Sequence, residues 1–182
     1  MENPKRLSGD RVVYSFSPQH PPALVIKSGD IVEVETRDAY DRQFRENLDI
    51  ERYLRERNSR PANPATGPIF VDDVVPGDGL DVMIERIDLG PTGYVAAIPG
   101  IGVLGDTVIV PRVSHFKVQR DGLWYEGRLC LPLRPMIGVI GVAPASGSIP
   151  CLQLGYHGGN LDFNDVTEGT TFHFPVSVEG GL

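Results

Sequence analysis

Three stretches of this chain alternate apolar and polar residues with a period of two, each directly after a turn, and that alternation limits the fold more than any other feature. After Ser28-Gly29-Asp30, the residues Val32, Val34 and Thr36 share one face while Ile31, Glu33 and Glu35 share the other. After Pro76-Gly77-Asp78, Leu80, Val82 and Ile84 lie opposite Asp81, Met83 and Glu85. After Glu168-Gly169, Phe172, Phe174, Val176 and Val178 oppose His173, Pro175 and Ser177. Successive side chains of a strand point to opposite faces, so each stretch predicts a strand with one buried face, the habit of antiparallel sheets. The 21 glycines and 16 prolines lie scattered between short apolar runs, which suits many short strands joined by turns.

Val12 to Phe16, Val108 to Val110, Phe116 to Val118 and Met136 to Val142 are further strand candidates. Asp41 to Asn58 departs from the pattern: Phe44, Leu48, Tyr53 and Leu54 are threaded through charged residues without glycine or proline, which predicts a helix over at least part of the segment. The expectation is an all-β fold, an antiparallel two-sheet sandwich of the jelly-roll kind with one or two short helices, formed as a single domain over residues 1–182. A chain of this length buries enough surface to need no disulfide or structural metal. The strand near Val176 to Leu182 is expected to form an edge without a partner, and such edges recruit other chains.

The formal charge of −7 opposes binding to phosphate backbones, so nucleic acid is excluded as a partner. The amino-terminal residues carry no apolar leader and nowhere do 18 apolar residues run together, so neither a membrane span nor export is expected, and a cytoplasmic protein is. Cys130 and Cys151 form no close pair and sit in apolar company, where a cysteine acts as a small buried hydrophobe.

The densest group of chemically able residues is Gly155-Tyr156-His157-Gly158-Gly159-Asn160-Leu161-Asp162. Glycines on both sides of a histidine allow backbone conformations closed to other residues, and imidazole, amide and carboxylate within six positions offer metal ligands and proton carriers. His157 and Asp162 could share an ion if the glycines turn the chain back on itself. The plainer reading is a glycine-rich turn whose Asn and Asp bond their own backbone. Asp38 comes directly after a predicted strand, where it could point into a cleft or cap the predicted helix beyond it. His20, His115 and His173 lack such company, and Ala145-Ser146-Gly147-Ser148 is no nucleophile elbow.

Three longer segments, taken together, resemble the acetamidase/formamidase family. They are Asn63-Pro64-Ala65-Thr66-Gly67-Pro68-Ile69-Phe70-Val71 followed by Pro76-Gly77-Asp78; Arg134-Pro135-Met136-Ile137-Gly138-Val139-Ile140-Gly141-Val142-Ala143-Pro144; and the His157 segment. The resemblance runs from about Val32 to the last residue. It implies hydrolysis of short amides such as formamide or acetamide to ammonia and a carboxylate, with water activated by a divalent metal ion, zinc or calcium/magnesium, on a β-sandwich. On that reading His157, Asn160 and Asp162 are the catalytic candidates, and His157, Asp162 and Asp38 the metal ligands. Family members continue into a segment resembling Gly-Asp-x-His-Ala-x-Gln-Gly-Asp-Gly-Glu, which this sequence does not contain. The expectation is therefore an incomplete site, finished by a complementary carboxy-terminal chain or within a homo-oligomer. The competing expectation is a non-catalytic sandwich that binds a ligand or serves as a structural subunit.

Overall fold

The structure is a computed structural model that describes residues 4–41, 50–56 and 61–182. Among these, seventeen short strands, numbered here in chain order, and one helix make up the regular structure. The chain divides into two compact units, one of Met1–Arg42, Pro61–Glu85 and Met136–Leu182, the other of Gln43–Arg60 and Arg86–Pro135. Residues between 86 and 135 pair with one another in a sheet of their own.

In the first unit, β1 (Lys5–Leu7) runs parallel to β5 (Val32–Val34), and β4 (Leu24–Ile26) parallel to β7 (Ile69–Val71). The segment Val12 to Phe16 breaks at Tyr14 into β2 (Val12–Val13) and β3 (Ser15–Phe16), whose antiparallel partners are β6 (Ala65–Thr66) and β14 (Ile149–Pro150). β8 (Gly79–Met83) pairs antiparallel with β17 (Thr171–Pro175), setting Phe172 opposite Val82 and Phe174 opposite Leu80. The alternation read from the sequence holds in this pair: Ile84, Phe174 and Val176 are buried, while Asp81, Met83 and His173 face water. Each fully buried side chain of that kind contributes about 1.5–3 kcal/mol. Val71, Val74 and Val176 form the core cluster, with Ile26 and Leu80 packed against it. A three-stranded sheet, built from β13 (Val139–Gly141), β16 (Gly158–Asn160) and β15 (Leu154–Gly155) in that order, carries the His157 hairpin and Asn160.

In the second unit, β9 (Thr92–Ala97), β10 (Arg112–Gln119), β11 (Gly122–Tyr125) and β12 (Leu129–Leu131) form an antiparallel meander. Helix α1 (Ile50–Glu56) falls inside the predicted helical segment, whose residues 42 to 49 and 57 to 58 lie outside the described ones.

The all-β class is the one observed, in seven small sheets among the described residues, five of them antiparallel and two parallel. The parallel pairs were not expected from a half-buried alternation, and each needs a long crossover between its strands, which the chain from 8 to 31 and from 27 to 68 supplies. Val108 to Val110 is not a strand: the amides of Thr107 and Val108 both donate to Leu104 O, and Ile109 and Val110 remain 89% and 74% exposed. The turn takes the hydrogen bonds that a strand would have needed. The edge expected near Val176 to Leu182 is bonded as well: the Val176 amide donates to Asp78 O, that of Gly180 to Val74 O, and that of Val71 to Gly180 O. The Ala143 amide donates to Gly181 O and Leu182 O, at 2.9 and 2.8 Å. No described helix is long and apolar enough to cross a membrane.

Candidate active site

The site begins with a two-residue reversal. β15 and β16 pair with Gly155 opposite Gly158, which leaves Tyr156 and His157 as the tip of a tight hairpin. Neither tip residue takes a positive φ; Gly158 and Gly159 do, at 96° and 99°. That conformation favours glycine, and so does space: a Cβ on Gly158 would collide with Ile140 O, one on Gly159 with Gln153 O, and one on Gly141 with His157 O. The glycines therefore let three backbone segments close around the hairpin, with the Val142 amide donating to His157 O at 2.9 Å.

That closure buries the histidine. Tyr156 is 64% exposed, whereas His157 is 1% exposed, with its ring edge-on to Phe16 at 5.1 Å between centroids. Gly155 stands beside Nδ1 and Gly159 beside Nε2, where an added Cβ would come within 2.8 and 3.2 Å of those atoms. Neither nitrogen has a hydrogen-bond partner among the described residues. A neutral imidazole carries one donor and one acceptor, and burial without partners costs free energy on both counts. Burial also holds the His157 pKa below the ordinary imidazole value, so the ring stays neutral.

Asn160 ends β16 and Asp162 follows two residues beyond it. The Asn63 side-chain amide donates to Asn160 Oδ1 at 2.8 Å, and this fixes the Asn160 carboxamide with its Nδ2 free to donate elsewhere. Asn63 is itself 8% exposed, takes a φ of 60°, and donates its backbone N–H to Ala39 O. It thereby ties the turn around Asp38 to the strand bearing Asn160. The quoted Asn63-Pro64-Ala65-Thr66 run held the signal for this residue, but not its role. Asp38 forms a turn: its Oδ1 accepts the Tyr40 amide at 2.9 Å and its carbonyl accepts the Asp41 amide. Asp41 in turn receives hydrogen bonds from Tyr14 Oη and Arg37 Nη1, both at 2.7 Å.

Asp162 is exposed, has a φ of 44°, and sets Oδ1 where a Cβ on Gly138 would stand 2.9 Å away. The expected reversal between His157 and Asp162 is not what the glycines make. The chain turns at Tyr156–His157 and then runs through β16, so His157 precedes that strand and Asp162 comes two residues after it. Orphaned nitrogens are what a metal-ligating imidazole would show, but among the described residues no three His, Cys, Asp or Glu side chains gather as a ligand set. Asp162 and Asp38 do not join His157 in one, so the donors of the described residues do not by themselves fit a catalytic metal centre, which takes three protein ligands.

A model of the acetamidase/formamidase family matches residues 3–150 of the chain, a span that stops short of the His157 hairpin. Solved structures extend the likeness across it. An acetamidase from Bacillus halodurans is 37% identical, with a TM-score of 0.86 over 97% of this chain and 59% of its own. A predicted acetamidase/formamidase from Thermoanaerobacter tengcongensis is 42% identical, with a TM-score of 0.90 over 98% of this chain and 58% of its own. An acetamidase from Yersinia enterocolitica is 30% identical, with a TM-score of 0.83 over 99% of this chain and 59% of its own. Among curated proteins nothing matches. The chain spans somewhat less than three fifths of the length of these structural relatives.

Proposed function

Because this chain belongs to the acetamidase/formamidase family, we propose that it provides the substrate-orienting part of an enzyme that hydrolyses short aliphatic amides, of the formamide or acetamide type, to ammonia and a carboxylate. The observation that carries the proposal is the Asn63–Asn160 hydrogen bond, which holds a side-chain amide donor two residues ahead of an exposed carboxylate that has no partner among the described residues. Asn160 Nδ2 donates to the amide carbonyl oxygen, where charge develops as water adds to the carbon. The Asp162 carboxylate accepts an N–H of the same amide, takes the proton that the adding water gives up, and passes it to the nitrogen as the C–N bond breaks and ammonia leaves. The pair recognises the two polar ends of a primary amide at once.

His157 is shut off from solvent, so it reaches the reaction only through a group bonded to its nitrogens. That group comes from outside the described residues, either from further chain or from a second copy, and it recovers the cost of two orphaned atoms. A divalent ion, zinc or calcium/magnesium, at this place would draw its remaining donors from the same source and would supply Lewis acidity toward the carbonyl.

Ammonia release from formamide and acetamide, by this chain mixed with a polypeptide corresponding to the remaining part of a structural relative, tests the proposal. Asn160→Ala should lower the rate by about 10²–10³, the usual cost of an oxyanion donor. Asp162→Asn should lower it too, while Asp73→Asn, at an exposed turn elsewhere in the unit, should not. Full activity in the Asn160→Ala protein would remove that residue from the reaction.

A further inference from the structure

The second unit holds a cavity with no part in the proposed amide chemistry. It has a volume of about 700 Å³, and its lining includes Thr92, His115, Lys117, Gln119, Trp124 and Glu126. A volume of that size and a lining of aromatic and polar groups fall within the ordinary range for small-molecule sites. The sheet register explains the gathering. Lys117 stands directly opposite Trp124 on one side and Thr92 on the other, and His115 and Gln119 flank it at two-residue spacing, so all share one face of the meander.

Two features show preparation for a ligand. The indole is held in place: Trp124 Nε1 donates to Asp121 Oδ1 at 3.0 Å across the tight hairpin between β10 and β11. Glu126 is presented by a turn in which it and Gly127 both take left-handed conformations, at φ 50° and 66°, closed by the Arg128 amide on Tyr125 O. Lys117 and Glu126 line the same cavity, yet they form no ion pair with each other, and neither has a partner among the described residues.

We propose that the face of Lys117, Trp124 and Glu126 binds a small zwitterion, an α-amino acid with a flat or apolar side chain, its carboxylate on Lys117, its ammonium on Glu126 and its body against the indole. A ligand with one charge engages one of the two side chains and leaves the other to water. A ligand with both engages the two together.

Trp124 is the only tryptophan of the chain, so its fluorescence reports on this cavity directly. The full chain is titrated with L-phenylalanine, with 3-phenylpropionate, which lacks the amine, and with phenethylamine, which lacks the carboxylate. A saturable change is expected with L-phenylalanine, and binding weaker by about tenfold or more with each one-charge probe, as loss of a hydrogen bond to a charged group dictates. Lys117→Met should abolish the preference for L-phenylalanine over phenethylamine, and Glu126→Gln that over 3-phenylpropionate. Both residues are exposed, so neither change should disturb the fold, and ammonia release from acetamide should be unaffected by either. The proposal is overturned by an absent response to L-phenylalanine, by equal affinity for all three probes, or by dependence on one charge alone.

Discussion

Replacing His157 by leucine should stabilise this chain, against the usual outcome for a buried residue. The imidazole is 1% exposed and both of its nitrogens lack partners among the described residues. An unsatisfied buried polar atom costs about 1–3 kcal/mol, and leucine removes two of them. Against this, leucine forfeits the edge-on ring contact with Phe16, and aromatic pairs are worth about 0.5–1.5 kcal/mol beyond the area that they bury. The balance is a gain of about 0.5–5.5 kcal/mol, which for a protein of this size is a rise in Tm of roughly 1–20 °C. The difference should also depend on pH. Burial lowers the His157 pKa in the folded state below its ordinary 6.5, so the unfolded chain takes up the proton first. The native protein is unaffected by this group above pH 6.5 and loses stability as the pH falls from there through the folded value, whereas the leucine protein has no such loss. Thermal unfolding followed by circular dichroism should therefore show a gap between the two proteins that widens below pH 6.5. An unchanged or lowered Tm in the His157→Leu protein would mean that the nitrogens are satisfied in the folded chain, and the incomplete site would go with them.

Two glycines provide a contrast in the same assay. Gly158→Ala places a Cβ against Ile140 O at a φ of 96° and should cost upward of about 3 kcal/mol, whereas Gly147→Ala, at φ 78° with nothing within 4 Å, should cost only about 1–2 kcal/mol, as urea midpoints will show. Equal losses would refute the reading of close backbone approach at the hairpin. The Cys151 thiol is fully buried and pushed up to about 11 by desolvation, while Cys130 is exposed. A thiol reagent at neutral pH should accordingly modify Cys130 alone until the protein is denatured, and reaction of both in the native state would contradict that burial.

The parts of this fold that could be read from the sequence are those with a local cause. Leu80, Val82, Phe172 and Phe174 alternate because one face of β8 and β17 meets the core, and the period shows in the residues themselves. The parallel partners of β1 and β4 left no such trace, because pairing across a long crossover is settled by tertiary contacts. Val108 to Val110 has strand composition, and only the preceding turn, through Leu104, denies it a partner. At the candidate site the glycines around His157 were visible, together with their freedom to bend, but which of them bends was not. The reversal falls on Tyr156–His157, and Gly158 and Gly159 serve close packing instead. Asn63 reaches Asn160 across 97 residues, a contact that no local pattern announces.

The most direct test of the amide-hydrolysis reading is ammonia release from acetamide by this chain mixed with a polypeptide corresponding to the remaining part of the Bacillus halodurans acetamidase. The chain alone should release little, because the nitrogens of His157 then have no partner. The mixture should release ammonia, and Asn160→Ala in this chain should lower that rate by about 10²–10³. A mixture that forms a complex yet releases no ammonia, or one whose rate is unchanged by Asn160→Ala, would contradict the account.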